Sequence, residues 1–177
     1  MANETWAESL ELGSYCEQLV YAYLRSTGAT INDVTADAEY QAQEIDAVIT
    51  LPDGSQRAIE IKGDRQIAGT GNLFVEHRIR LYNSGTWRNG WYHTSKADYL
   101  YYVDVVNMWL YIIPMDGLRA YIAEYTDENY YGLGMKECPD TDKNRLVKGI
   151  TVKVDRFGTW LKEHGYKAKR VKLKAVA

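Results

Sequence analysis

The sequence predicts a single α/β domain, and three patterns carry that expectation. Between Thr5 and Ser26, Leu10, Leu12, Leu19, Val20, Tyr23 and Leu24 recur at helical spacing, with Gly28 as a stop. Two short apolar runs flank Leu51-Pro52-Asp53-Gly54-Ser55, a turn sequence that joins antiparallel strands. Strand-like and helix-like stretches then alternate as far as His164.

After the first helix, residues 29–43 are polar and mixed, with an edge strand expected near Val34 to Tyr40. The hairpin over residues 44–62 can be placed in register from its turn. Pro52 presets φ for the first central position of a type I turn, and Gly54 suits the left-handed position after it. That three-residue loop sets Asp46 opposite Glu60, Ala47 opposite Ile59, Glu44 opposite Lys62 and Ile45 opposite Ile61. Glu44, Asp46, Glu60 and Lys62 then share one face, while Ile45, Ala47, Ile49, Ile59 and Ile61 share the other. A two-residue Asp-Gly loop would mix the faces, and burial selects against it.

Two carboxylates directly across a strand pair repel each other. A cation removes that cost, and hard oxygen ligands suit Mg²⁺ or Mn²⁺. Lys62 is placed to pair with Glu44 or to position an attacking water. The plain alternative is a solvated strand face, on which Glu, Asp and Lys are common.

Asp46 followed by Glu60-Ile61-Lys62 at the end of an apolar strand resembles the core motif of the PD-(D/E)XK nuclease superfamily. Gly13-Ser14-Tyr15-Cys16-Glu17-Gln18-Leu19-Val20 is similar to the helix that precedes the hairpin in that superfamily, where a glutamate often joins the site. The chain departs from the pattern in carrying Glu44-Ile45-Asp46 where a Pro-Asp pair is usual. The resemblance covers residues 10–100. It implies a restriction-endonuclease-like core, with a central mixed four- to six-stranded β-sheet flanked by helices. It also implies that Asp46, Glu60 and the carbonyl of Ile61 hold the metal, that Lys62 acts on the attacking water, and that Glu17 holds a water ligand or a second ion. The implied activity is Mg²⁺-dependent hydrolysis of DNA. A structure-selective endonuclease, junction-resolving or general and acting as a homodimer, is the leading expectation. A sequence-specific restriction-type enzyme or an exonuclease is the rival, and a catalytically inactive DNA-binding module is the non-enzymatic alternative. Nothing in the sequence discriminates RNA from DNA.

Residues 63–71 read as a loop in which Arg65 could meet substrate. Asn72 to Arg80 alternates with strand period, and Glu76 is either an extra carboxylate near the site or the partner of an arginine. Residues 82–93 read as a Gly-rich loop whose Trp87 and Arg88 could stack on bases or wedge into a duplex. Ser95-Lys96-Ala97-Asp98 resembles a capping box opening a helix, with Lys96 near a phosphate-binding end. Tyr99 to Ile113 predicts two buried strands turning near Asn107, and 115–125 a helix. Residues 126–146 read as a lid, a dimer arm or a misread element. Ile150 to Val154 predicts a last strand and Asp155 to His164 a last helix.

The first 165 residues are expected to form the domain and 166–177 a basic tail. That tail carries Lys167, Lys169, Arg170, Lys172 and Lys174 without an acid, in a chain of 177 residues and net charge −3. Such a run either grips phosphates through counterion release or is solvated. The 15 tyrosines could also build a homodimer face. Cys16 and Cys138 stand alone, as do His77, His93 and His164. This argues for free thiols in a cytoplasmic setting and against a Cys or His metal cluster. No apolar run is long enough for a membrane span, and Met1-Ala2-Asn3-Glu4 does not read as a signal peptide.

Overall fold

The computed structural model describes residues 6–126, 134–140 and 144–174. Its first half runs α1 (Trp6–Ser26), β1 (Thr30–Asp33), α2 (Ala38–Ala42), β2 (Ala47–Thr50), β3 (Gln56–Asp64), α3 (Ile67–Thr70) and β4 (Asn72–Leu81). The second half runs β5 (Trp87–Asn89), α4 (Trp91–Thr94), β6 (Tyr99–Asp104), β7 (Trp109–Pro114), α5 (Met115–Thr126), β8 (Gly134–Asp140), β9 (Arg145–Lys153), α6 (Val154–Glu163) and β10 (Lys169–Lys172). The fold is mixed α/β. A six-stranded sheet in the order β1-β2-β3-β6-β7-β10 and a four-stranded sheet in the order β5-β4-β9-β8 are flanked by helices. Within the larger sheet only β3 and β6 run parallel.

Both faces of the larger sheet are covered. On one, Cys16, Leu19, Val20 and Leu24 of α1 pack on Ala47, Ile49, Ile59, Ile61, Tyr101 and Val103. On the other, Ala58, Leu100, Tyr102 and Ile113 meet Leu73, Val75, Ile150 and Val152 of the second sheet, together with Leu118, Tyr121, Phe157 and Trp160 of α5 and α6. The face that the sequence marks as polar therefore lies in the middle of the molecule. Tyr101 and Tyr102 are buried in these layers, so they pack within the chain.

The hairpin forms in the register set by its turn. Ala47 lies opposite Ile59 and Thr50 opposite Gln56, and just beyond this ladder the Asp46 N–H donates to the Ile59 carbonyl at 2.9 Å. Gly54 has φ 82° and its N–H donates to the Leu51 carbonyl at 2.8 Å, while the Leu51 N–H donates to the Ser55 carbonyl at 2.9 Å. The strand pairs end at Ala47, and Glu44 takes a left-handed φ of 51°. Ile45 consequently packs in the cluster between the two sheets and not with Ile49 and Ile59. Glu44 is likewise not seated opposite Lys62 within the ladder.

Other expectations are corrected. The edge strand is Thr30–Asp33, ahead of Val34 to Tyr40, because Asp37 accepts the Glu39 N–H at 2.8 Å and caps α2. Leu10 is 54% exposed, so the apolar stripe of α1 begins further along. Residues 63–71 are part strand and part helix. Residues 82–93 are not one loop, since they hold β5 and α4. Ser95 opens no helix: its buried hydroxyl donates to the Glu44 carbonyl at 3.2 Å and accepts the Ala97 N–H at 3.2 Å. Within 126–146, Gly134–Asp140 pairs along β9 as a strand, and 127–133 and 141–143 lie outside the described residues. The strand expected from Ile150 is β9, which begins at Arg145, ends at Lys153 and is not the last. Lys169–Lys172 is no free tail, since it pairs with β7 as the sheet edge; 175–177, like Met1 to Glu4, lie outside the described residues. Among the described residues no helix is long and apolar enough to cross a membrane.

The seat of α1 on β3 is close at Gly63, where an added Cβ would lie 2.4 Å from the Cys16 sulfur. Gly63→Ala should therefore cost roughly 1–3 kcal/mol of stability, read by denaturant melts. Because the clash is pairwise, Gly63→Ala with Cys16→Ala should be less destabilised than the sum of the single changes. Wild-type stability of Gly63→Ala would mean that α1 does not sit this close.

Candidate active site

A cleft of ≈ 820 Å³ opens at the carboxyl end of β3, between α1 and the second sheet. Glu17, Asp46, Lys62 and Arg65 line one side, and Lys136 and Arg145 the other. Each reaches it for a local reason. Strand alternation along β3 sends Glu60 and Lys62 away from the α1 layer. Asp46 sits where β2 ends, and its Oδ2 accepts the Ile61 N–H at 2.7 Å. Glu17 follows Cys16 on α1, and the close contact at Gly63 brings that turn of helix onto β3.

Glu60 lies beneath the cleft floor and is 1% exposed. Among the described residues neither of its oxygens has a hydrogen-bond donor, apart from a close ion-pair contact between Oε1 and the Lys62 ammonium. Lys62 thus pairs with Glu60, not with Glu44 as the sequence suggests. Burial pushes the Glu60 carboxyl up to about 8; Lys62 opposes this, and Asp46 and Glu44 add to it. For Lys62 burial acts downward, yet Glu60, Asp46 and Glu44 outweigh it and hold the ammonium above the ordinary lysine range. Asp46 is raised by burial, with Lys62 and the Ile61 N–H opposing and Asp33 adding. Glu17 is raised by burial and then by Asp46 and Asp33, against Lys62. Several carboxylates thus share one neighbourhood with a single ammonium. Among the described residues no three His, Cys, Asp or Glu side chains converge on one point as a ready ligand cluster. The Cys16 thiol is pushed up to about 12, by burial and then Glu17, so it is a packing group rather than a nucleophile.

Three features escape sequence reading, two of them at the cleft. Asp64 ends β3, accepts the Tyr102 hydroxyl at 2.6 Å and caps Gln66 at 2.6 Å. The same Tyr102 oxygen accepts the Phe74 N–H at 3.1 Å, tying β3 and β6 to β4. Asp64 continues the alternation of Glu60 and Lys62, so its place was legible; the partner Tyr102 was not. Arg145 bridges strands through Asp140 Oδ2 at 2.9 Å and Glu76 Oε2 at 3.7 Å, which makes Glu76 an arginine partner. His77 and His93, far apart in sequence, meet at 2.8 Å between ring nitrogens. The extra residue at the β4 bulge beside Glu76 turns His77 toward α4.

Of the residues predicted to meet substrate, only Arg65 joins Asp46, Lys62 and Glu17 in the cleft. Trp87 and Arg88 sit on β5 at the edge of the second sheet, and Lys96 is an exposed residue between buried Ser95 and Ala97 before β6. Lys169 and Arg170 line a separate cavity of ≈ 430 Å³ beside α6.

No family model matches this chain, and no curated protein is similar to it. Among solved structures it is similar to a bacterial homing endonuclease, I-Ssp6803I, at 14% identity, over 89% of this chain and 95% of that one, with a TM-score of 0.49.

The raised Glu60 pKa predicts a pH dependence. The folded chain holds a proton that the unfolded chain releases near 4.5, so stability falls as pH rises from about 4.5 to about 8. Asp46 and Glu17 slope the same way, so the informative quantity is the difference from Glu60→Gln. Melts at pH 5, 7 and 9 should show the melting temperature of Glu60→Gln gaining on wild type as pH rises. A constant difference would mean that Glu60 is not held protonated by burial.

Proposed function

We propose that this chain is a divalent-metal-dependent DNA endonuclease of the PD-(D/E)XK kind. The observation that carries this reading is Glu60. A carboxylate this buried, lacking any hydrogen-bond donor but Lys62, is costly unless something else completes its shell. A hard cation suits the donors near this end of β3: the carboxylates of Glu60 and Asp46, the latter bonded to the Ile61 N–H, and the Ile61 carbonyl. With no third side chain converging, water would fill the remaining positions, as Mg²⁺ prefers; Mn²⁺ suits the same donors.

Such an ion, when bound, would polarise a phosphoryl oxygen and lower the pKa of its water. The chain's own groups account for the rest. Lys62, held cationic by its carboxylate neighbours, faces the cleft where negative charge develops on the phosphate. The Ile61 N–H fixes the Asp46 carboxylate in orientation. Glu17 lies within the same field and can hold a water or a second ion. In the hydrolysis the water oxygen bonds to phosphorus, the bond to the 3′ oxygen breaks, and that oxygen takes a proton. The products are a 5′-phosphate and a 3′-hydroxyl. One site per chain cuts one strand, so cutting both strands of a duplex calls for two copies. Selectivity for DNA structure, such as a junction, belongs to this reading as the property that the choice of substrate tests.

Plasmid, linear, single-stranded and four-way-junction DNA should be cut with Mg²⁺ or Mn²⁺ and not in EDTA. Lys62→Ala should lose about 10²–10³-fold in rate while still binding metal by calorimetry. Asp46→Asn and Glu60→Gln should weaken that binding. Full turnover by Lys62→Ala would sink the assignment, and DNA binding without cutting of any form would leave the inactive binding module.

A further inference from the structure

The strand register carries a line from the candidate catalytic lysine to the far edge of the sheet. Lys62 lies opposite Tyr102, Tyr102 opposite Tyr111, and Tyr111 opposite Arg170. One step further along, Asp64, Asp104, Trp109 and Lys172 form a second such row. Residues opposite each other in neighbouring strands point to the same face. Arg170 therefore stands level with Lys62 and Lys172 one row further along, at the exposed edge of a face whose middle, Tyr102 and Asp104, is buried. Three strand spacings separate the two cations from Lys62, ~14 Å. Leu73, in the core, stands in the wall of both the cavity beside Arg170 and the main cleft.

The two cations are held in place. The Arg170 guanidinium lies 4.6 Å from the centre of the Trp109 ring and the Lys172 ammonium 5.0 Å, and Lys172 donates to the Asn107 carbonyl at 2.6 Å. Both residues are exposed, and among the described residues neither has a carboxylate within ion-pair distance. Charged residues on an edge strand ordinarily serve to prevent pairing with other chains. That task needs charge alone, not an indole that fixes two cationic heads side by side. Fixed, unpaired cations with one aromatic surface are suited to an anion whose position matters.

We propose that Arg170 and Lys172, braced by Trp109, form a second phosphate-contact site on the DNA backbone. It grips the bound DNA at a backbone phosphate away from the scissile one, with the two cations ~14 Å from Lys62 across the sheet. This rests on the nuclease reading and adds to it where the DNA leaves the cleft. Deleting residues 166–177 would be a poor test, because it removes a strand of the sheet; side-chain changes are required.

The experiment uses the full chain carrying Lys62→Ala, which holds DNA without cutting it, and measures duplex affinity from low to moderate salt. Adding Arg170→Gln and Lys172→Gln should reduce the slope of log affinity against log salt by about 1.8, the value for two phosphate contacts. Thermal melts check that β10 stays in place. A scan with single neutral methylphosphonates, on protein with Arg170 and Lys172 intact, should weaken binding at a second position apart from the cut and lose that effect in the double variant. Should the variant melt early, the scan on the intact protein decides alone. An unchanged slope or interference confined to the cut site, with DNA still cut by wild type, overturns this site and leaves the nuclease reading standing. Absence of any duplex binding or cleavage overturns both.

Discussion

Glu60 is the group around which the rest of the site is arranged. Its strand runs through the middle layer, with α1 on one face and the second sheet on the other, so its carboxylate is withdrawn from water whichever ion it meets. Desolvation of that size must be offset locally. Lys62 offers one opposite charge, Asp46 and Glu44 add like charge, and the balance leaves Glu60 binding its proton up to about 8. A group in that state responds to whatever cation enters the cleft: an ion can take the place of the proton.

The surrounding fold holds the end of β3 where this can happen. From below, the close approach at Gly63 sets α1 against the strand and brings Glu17 to the rim. Alongside, the parallel pairing with β6 sets Tyr102 next to Lys62, and its hydroxyl links Asp64 to the β4 backbone. From above, Arg145 joins Glu76 and Asp140, so three neighbouring strands of the second sheet are tied at the opposite wall. Each contact is of ordinary strength; together they leave β3 little freedom to shift relative to the cleft walls.

The sheet edges show a different use of charge. β10 has one inward residue, Val171, among cations, and its register depends on Trp109 beneath Arg170 and Lys172. Burial contributes little there, so aromatic contact and backbone pairing hold the strand. The β4–β5 ribbon at the edge of the other sheet is exposed throughout its short strand, which leaves Trp87 and Arg88 at the surface, away from the site.

How much could be read without coordinates follows from the range of the interactions concerned. The hairpin was legible down to its register, because Pro52, Asp53 and Gly54 specify the loop and alternation specifies the faces within a few residues. The first helix, the two strands around Asn107 and the helix after Pro114 carried equally local signals. Where a distant partner supplies the stabilisation, the sequence was silent or misleading. Ser95 looks like a helix cap, yet its hydroxyl serves the Glu44 carbonyl. Lys169 to Lys172 looks like a solvated tail, yet β7 gives it a place in the sheet. The sequence by itself thus determined which carboxylates and which lysine share a strand face. Only the tertiary structure decided that this face is buried, that Lys62 meets Glu60 rather than Glu44, and that Arg65 alone of the expected substrate contacts reaches the cleft. Faces and turns are set by neighbours along the chain, whereas burial and charge pairing are set by layers that meet only when the chain has folded.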